Sequence, residues 1–235
     1  MHESTPRAVA RQHQIARIKA TARQLLAERG ASELSLREVA REMDQTSSAL
    51  YRYFANRDEL LTALILDAYD ELGAATERGE ARVARHATLD RWLAAGRAIR
   101  RWAVAHPHEY ALLYGSPVPG YHAPDQTVAA ATRVTTVIAS IVEDACRSAG
   151  VRTDRRDDRR VDRFLEVDQL RSAMPHVPAD VLSRSIMAWT QLFGFISFEL
   201  FGHYRNSVRR PGPFFDETLM ALGTLVGLDT PDGPP

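Results

Sequence analysis

Apolar residues recur along this chain with the 3.6-residue period of α-helices, and the pattern divides it into helices of very different length. From Gln12 to Arg29, Ile15, Ile18, Ala22, Leu25 and Leu26 make one apolar face, closed by Gly30 as a C-cap. Residues 1–11 before it are polar and read as a flexible arm. The stretch Ser35–Phe54 is two short helices about a tight turn. Leu36, Val39, Ala40 and Met43 line one face of the first. Ser35 with Glu38 forms a capping box at its start. Asp44-Gln45-Thr46 breaks the pattern, and Thr46 suits the N-cap of the second helix. In that second helix Leu50 and Phe54 must face the first. By the same wheel Ser48 and Arg52 point away, with Ala49 and Tyr51 on the flanks. Asn56 and Glu59 open a further helix in capping-box manner, which Leu60, Leu61, Leu64, Ile65, Ala68, Tyr69 and Leu72 carry to about Thr76.

Beyond a charged connection at 77–87, Trp92, Ala95, Ile99 and Trp102 repeat at helical spacing from Leu89 to Ala105, stopped by Pro107. A short helix, His108–Tyr114, leads into GSPVPGYHAP (115–124), too dense in Gly and Pro for a regular element. Asp125 caps a helix running to about Ser148. The run VRTDRRDDRR (151–160) is a solvated linker, and Val161–Ser172 forms one amphipathic helix. Ala179–Tyr204 is apolar around nearly the whole wheel, so it must be covered on every side. Ile186, Trp189, Phe193, Ile196 and Leu200 take the core in this reading. Phe195, Phe198 and Gly202 are left outside, which predicts a subunit interface. A last helix runs from Phe214 to Val226 through Thr218, Leu219, Leu222 and Leu225, and the terminal residues are disordered by composition. The fold class is all-α.

Composition sharpens the picture at one end. The chain has 235 residues, 45% hydrophobic and 26% charged, with a net charge of zero, which argues against a general nucleic-acid coat. Residues 1–57 nevertheless hold ten Lys and Arg against six acids, a balance of +4. A basic head on a balanced body fits phosphate binding confined to one end. The single cysteine, Cys146, excludes an intrachain disulfide and reads as a small core residue. MHESTPRAVARQH lacks the apolar core of a signal peptide, and no window spans a bilayer without charge, so a cytoplasmic protein with no membrane partner is expected.

Chemistry beyond binding finds little support. No Gly-rich phosphate loop and no Gly-x-Ser-x-Gly elbow occur, and no catalytic residues or cofactor are assigned. His106 and His108 flank Pro107 without a third ligand, so they read as helix-end polar residues and no metal is expected. Glu199, in apolar surroundings, is either an acid satisfied by His203 or an arginine, or a polar anchor for a ligand. Trp102, Tyr110, Tyr114, Trp189 and Phe193 are candidates to wall an apolar pocket with it.

The short second helix, with a small, hydroxylic, aromatic and basic outer face, suits a DNA major groove. The run Thr46-Ser47-Ser48-Ala49-Leu50-Tyr51-Arg52-Tyr53-Phe54, then Asn56-Arg57-Asp58-Glu59-Leu60-Leu61, resembles the helix-turn-helix and following helix of the TetR family of repressors. Asp44-Gln45 stands where members often carry Gly-Val; Asp tolerates a left-handed turn residue, and Gln45 becomes a candidate base reader. The second half, with GSPVPGYHAP and then Trp189, Gly194, Glu199-Leu200 and Gly202, is similar to the C-terminal domain of TetR-type regulators known by a Trp-His-Gly signature. Phe193 occupies the place of that signature's His. The resemblance implies an all-helical homodimer with its last two helices in a four-helix bundle, to which Leu219 and Leu222 would contribute, and a ligand cavity in the body. It also implies a DNA-binding head over residues 1–66 and a ligand-binding and dimerisation domain over 67–235. Ser35, Arg37, Tyr51, Tyr53 and Arg57 would position on phosphate; Gln45, Thr46, Ser47, Ser48, Ala49 and Arg52 would meet or flank base edges. The expected function is a repressor acting as a homodimer on a pseudo-palindromic operator of double-stranded DNA, released by a small molecule not named by the sequence. The alternatives are a dimeric helical sensor or adaptor without operator binding, and a small-molecule-modifying helical enzyme.

Overall fold

A computed structural model describes residues 5–148 and 174–228 together with Val151 and Leu165; the predicted linker at 151–160, the helix at 161–172 and the C-terminal tail from residue 229 fall outside or nearly outside these residues. Ten helices and no strand occur among the described residues. They are α1 (Pro6–Arg29), α2 (Leu36–Glu42), α3 (Ser47–Leu50), α4 (Arg57–Glu80), α5 (Thr88–Ala105), α6 (Pro107–Tyr114), α7 (Val128–Ala131), α8 (Arg133–Arg147), α9 (Ala179–Leu200) and α10 (Pro211–Val226).

The helices form two compact units. The head unit takes residues up to Glu71 and then His106–Ala131; the body unit takes Leu72–Ala105 and everything from Thr132 on. The expected boundary at 66/67 therefore lies inside α4, and no local pattern in residues 106–131 foretells that they fold with the head. Helix α1 starts at Pro6, so most of the expected N-terminal arm is helical. Pro at the first helical position explains the early start: its missing amide would have been unbonded there anyway. The single helix expected over 125–148 is instead broken, with Thr132 between α7 and α8. Its neighbours Thr135 and Thr136 both donate their hydroxyls to the Thr132 carbonyl, the local side-chain bonding that competes with a regular ladder.

In the head, Ile18, Ala22 and Leu25 of α1 pack with Leu36, Val39 and Ala40 of α2, with Leu50 and Phe54, and with Leu60, Leu61 and Leu64 of α4. These are the positions the periodicity assigned inward. Lys19 and Arg23 of α1 bond Asp67 at 2.7 and 3.1 Å, and Arg23 reaches Glu71 at 2.8 Å, so a charged seam locks α1 beside α4. Tyr121 from the Gly-Pro loop shares a 2.9 Å hydrogen bond with Thr62, which ties that loop to α4.

In the body, Trp92, Ala95, Ile99 and Trp102 of α5 are buried as predicted. The Trp92 indole N–H donates to the Leu219 carbonyl at 2.9 Å. Helix α10 lies close on α5 because Gly96 leaves room for the Leu219 side chain; a Cβ there would come within 2.6 Å of it. Beside this core Arg91 is 1% exposed. Its Nε meets Glu80 at 2.5 Å, and Nη1 meets Asp144 at 2.8 Å and the Arg85 carbonyl at 3.1 Å. Ser140 accepts from Nη2 at 3.3 Å, so each guanidinium nitrogen has a partner. A buried cation demands that arrangement, because an unpaired charge is far costlier inside than in water.

Candidate nucleic-acid interface

The interface is built on α2, the turn after it and α3. Ser35 caps α2, its hydroxyl accepting the Glu38 amide at 3.2 Å. The return bond of the expected box is replaced: the Glu38 carboxylate takes Arg29 at 2.7 Å and also Arg41. Asp44 sits at φ 52°, the left-handed residue the turn requires. The Gln45 amide then donates back to the Ala40 carbonyl at 2.9 Å, closing the turn. Gln45's side chain accepts from Gln14 of α1 at 3.1 Å.

Helix α3 is one turn long, shorter than expected, and Tyr51–Tyr53 continue as turn. Thr46 occupies the N-cap with no side-chain bond to the helix amides; its hydroxyl pairs instead with that of Ser48 at 3.0 Å. Leu50 and Phe54 are both buried in the head core. Ser48, Tyr51 and Arg52 are exposed, and neither the Tyr51 hydroxyl nor the Arg52 guanidinium bonds a described residue. Arg37 is likewise exposed, while Ser47 and Ala49 are half-buried at the sides. The Tyr53 ring lies under the Arg11 guanidinium at 5.8 Å, which brings the N-terminal end of α1 to this surface.

Arg57 differs from its neighbours. Its Nε and Nη2 donate to the Leu34 and Ala31 carbonyls at 2.8 Å each, bracing the segment before α2 against the start of α4. The Asn56 side chain caps α4 by accepting the Glu59 amide at 2.8 Å, and Glu59 returns to the Ala55 amide at 2.5 Å.

The residues singled out for a ligand fall in both units. Tyr110 and Tyr114 belong to the head, their rings 5.1 Å apart and Tyr114 6.3 Å from Tyr69; burial, then the neighbouring Tyr69, pushes the Tyr114 hydroxyl well above its ordinary pKa. Trp102, Trp189, Phe193 and Glu199 belong to the body. Glu199 is gripped on both oxygens by Arg100, at 2.8 and 2.5 Å, the arginine partner that one of its two readings called for. Trp189 and Phe193 stack edge-on at 5.9 Å, and Trp189 alone of the six lines a distinct apolar cleft. That cleft, about 360 Å³, lies between α8 and α9 among Ile138, Val142, Leu182 and Ile186. Cys146 is half-buried, and burial pushes its thiol up to about 11, as befits an inert core residue. No group of three or more His, Cys, Asp or Glu side chains that would hold a metal occurs among the described residues.

The residues assigned to the subunit interface need correction. Phe195, Leu219 and Leu222 are buried in their own chain, Leu219 at 0% exposure. Phe195 packs against Phe215 and Tyr204 at 5.2 and 5.0 Å, so α9 turns that face toward α10. Phe198 does stand outside, 51% exposed, and Gly202 is half-buried. The exposed apolar side chains of the two helices are Met187, Trp189 and Phe198 on α9 and Phe214, Met220 and Leu225 on α10. A wheel apolar on every side gives no phase, so only the packing of α9 on α10 distinguishes inner from outer.

Residues 18–64 match the model of bacterial regulatory proteins of the tetR family, and residues 92–222 that of the tetracyclin repressor-like C-terminal domain. The chain is 38% identical over 222 residues to HTH-type transcriptional regulators of Mycobacterium bovis and Mycobacterium tuberculosis, covering 92% of this chain and 94% of theirs. It belongs to the TetR family. The crystal structure of the regulatory protein SCO4313 superimposes with a TM-score of 0.74 at 36% identity, covering 93% of this chain and 98% of that one. A tetR-family protein from Rhodococcus RHA1 shares the fold at 18% identity, with a TM-score of 0.61 over 92% and 98% of the two chains. As a TetR-family member the chain is a transcriptional regulator and not an enzyme. None of its described helices is long and apolar enough to cross a membrane.

Proposed function

We propose that this TetR-family regulator is a cytoplasmic repressor that binds a pseudo-palindromic operator as a homodimer and leaves it when a small molecule occupies the body. The observation that carries the reading is the outer face of α3 and the turn that follows it. Ser48, Tyr51 and Arg52 project outward with neither the phenol nor the guanidinium engaged, while Leu50 and Phe54 hold the turn from beneath. Arg52, Gln45, Thr46, Ser47, Ser48 and Ala49 are assigned to the major groove; Ser35, Arg37, Tyr51 and Tyr53 are assigned to phosphate. Arg57 serves the same surface indirectly, by fixing the chain ahead of α2. Residues 1–66 thus form the DNA-binding module, and the remainder is the sensing and dimerising part.

The exposed stripe of α9 and α10 supports the dimer. Gly194, with nothing within 4 Å of where its Cβ would stand, leaves an open notch between Met187 and Phe198 for a partner side chain. Replacing Phe198 by Glu is expected to give a monomer by light scattering; an unchanged dimer would move the interface elsewhere. For the small molecule, the α8–α9 cleft is of ligand size. The Ser185 hydroxyl on its wall is already spent on the Val181 carbonyl at 2.7 Å, and no charged side chain among the described residues lines it, which favours an uncharged apolar ligand. Binding shifts the population away from the operator-competent dimer, with α4, whose residues belong to both units, as the covalent route between them.

The decisive experiment is fluorescence anisotropy with the DNA upstream of the protein's own gene across a salt series. Two protomers per site, outcompeting random DNA, is the expected result. Salt-sensitive binding without preference would remove that DNA as the target, and no binding at any salt would leave a dimeric sensor without operator recognition.

A further inference from the structure

Three arginines of the body unit surround a second groove that no carboxylate among the described residues lines. Arg78 and Arg82 at the end of α4 and just beyond it, and Arg101 of α5, line a hollow of about 310 Å³ with Gly79, Ala98 and the buried Trp102. The two helices touch there: a Cβ on Gly79 would lie 2.7 Å from that of Ala98 and 3.2 Å from the Ala94 carbonyl oxygen. Close crossing brings the three guanidiniums to one opening. None of them makes an ion pair or hydrogen bond with a described residue. All three are exposed, so none is held by burial.

Glu77 and Glu80, close by in sequence, and Asp144 are already committed to other arginines. Glu77 is bonded on both oxygens by Arg133 at 2.9 and 2.6 Å, and Arg78 adds only a longer-range attraction. Glu80 is taken by the buried Arg91, and Asp144 by Arg91, Arg85 and Arg147. Elsewhere in the body Arg97 has Asp216 at 2.7 Å. These pairings leave Arg78, Arg82 and Arg101 without a bonded carboxylate among the described residues.

We infer that this groove is an anion site for a phosphoryl-bearing small molecule carrying two or more negative charges. Guanidiniums present paired donors that match phosphoryl oxygens, and three around one opening suit a group with charge on several of them. The site is separate from the α8–α9 cleft and does not depend on the DNA-binding reading.

The test is titration calorimetry of the full-length protein with sodium pyrophosphate at low ionic strength. One site per chain is expected, with affinity weakened about tenfold or more in each of Arg78→Gln, Arg82→Gln and Arg101→Gln. Arg97→Gln, which removes the same charge from an exposed, paired arginine, should change it by less than about twofold. Thermal melts of the same proteins check folding, and pyrophosphate should raise the midpoint of the wild type but not of the three variants. Several outcomes overturn the assignment. They are no heat at about 1 mM pyrophosphate, equal loss in Arg97→Gln, citrate binding more tightly than pyrophosphate, or operator affinity falling in the three variants as it does on loss of Arg52.

Discussion

Arg52 of the head and Arg91 of the body are treated in opposite ways. In the turn after α3 the head keeps Arg52 outside and its guanidinium unengaged, and spends its apolar residues beneath it. The body draws Arg91 inside with two carboxylates, a hydroxyl and a carbonyl, and leaves Met187, Phe198 and Phe214 facing outward. A surface meant for a polyanion needs free cations, and one meant for a second protein chain needs free apolar area. On the proposed reading, what each unit leaves unsatisfied tells more of its task than what it buries.

The largest expected effect comes from breaking the buried node. Arg91→Ala leaves Glu80 and Asp144 without their shared partner and should destabilise the body by roughly 3–5 kcal/mol in denaturant melts. Operator affinity per folded molecule should hold. An Arg91→Met protein that is as stable as the wild type would show that the node contributes specificity of packing rather than net stability. Next is Arg52→Ala, expected to cost about 1–3 kcal/mol of operator binding and to relax preference at one base pair, with the melting curve unchanged. Uniform weakening on every sequence would make Arg52 a phosphate contact.

How far each side of this contrast was readable follows from the span of the interactions. The hairpin is written locally: Ser35 and Glu38 are three apart, and Leu50 and Phe54 four apart, so periodicity and capping alone place them. Asp44 took the left-handed conformation its residue type permits. Even there, the Glu38 carboxylate went to Arg29, nine residues earlier, which no local rule foretells. Arg91's acids lie 11 and 53 residues away, and Trp92 bonds Leu219 at 127. Those pairings exist only once the helices pack. Phe195, Leu219 and Leu222 were misplaced for the same reason, and Glu199 needed the position of Arg100 to be understood.

Smaller effects test the finer parts. Ser35→Ala removes the α2 cap and should cost about 1 kcal/mol, seen as a lower midpoint for the head. The acid limb of the stability curve probes the body. Burial alone would raise the Asp144 carboxyl, but Arg91, Arg147 and Arg85 outweigh it and hold its pKa below the ordinary carboxylate value. A carboxylate depressed in the folded state contributes stability that is present above its unfolded pKa and lost as pH falls through the folded one. The body should therefore lose stability below about pH 4, and Asp144→Asn should flatten that limb while lowering stability at neutral pH. A limb unchanged by the substitution would assign the acid loss to other carboxylates.

The brevity of α3 has a dynamic consequence. Four residues give a helix almost no hydrogen-bond ladder of its own, so it is anchored by Leu50 and Phe54 from below. Its amides should open with far less free energy than those of the 24-residue α4, and exchange with solvent deuterium correspondingly faster. On the proposed reading, the element assigned to DNA is then the one most able to adjust its pitch to a groove, and slowed exchange at Ser47–Leu50 on adding operator would report its engagement directly.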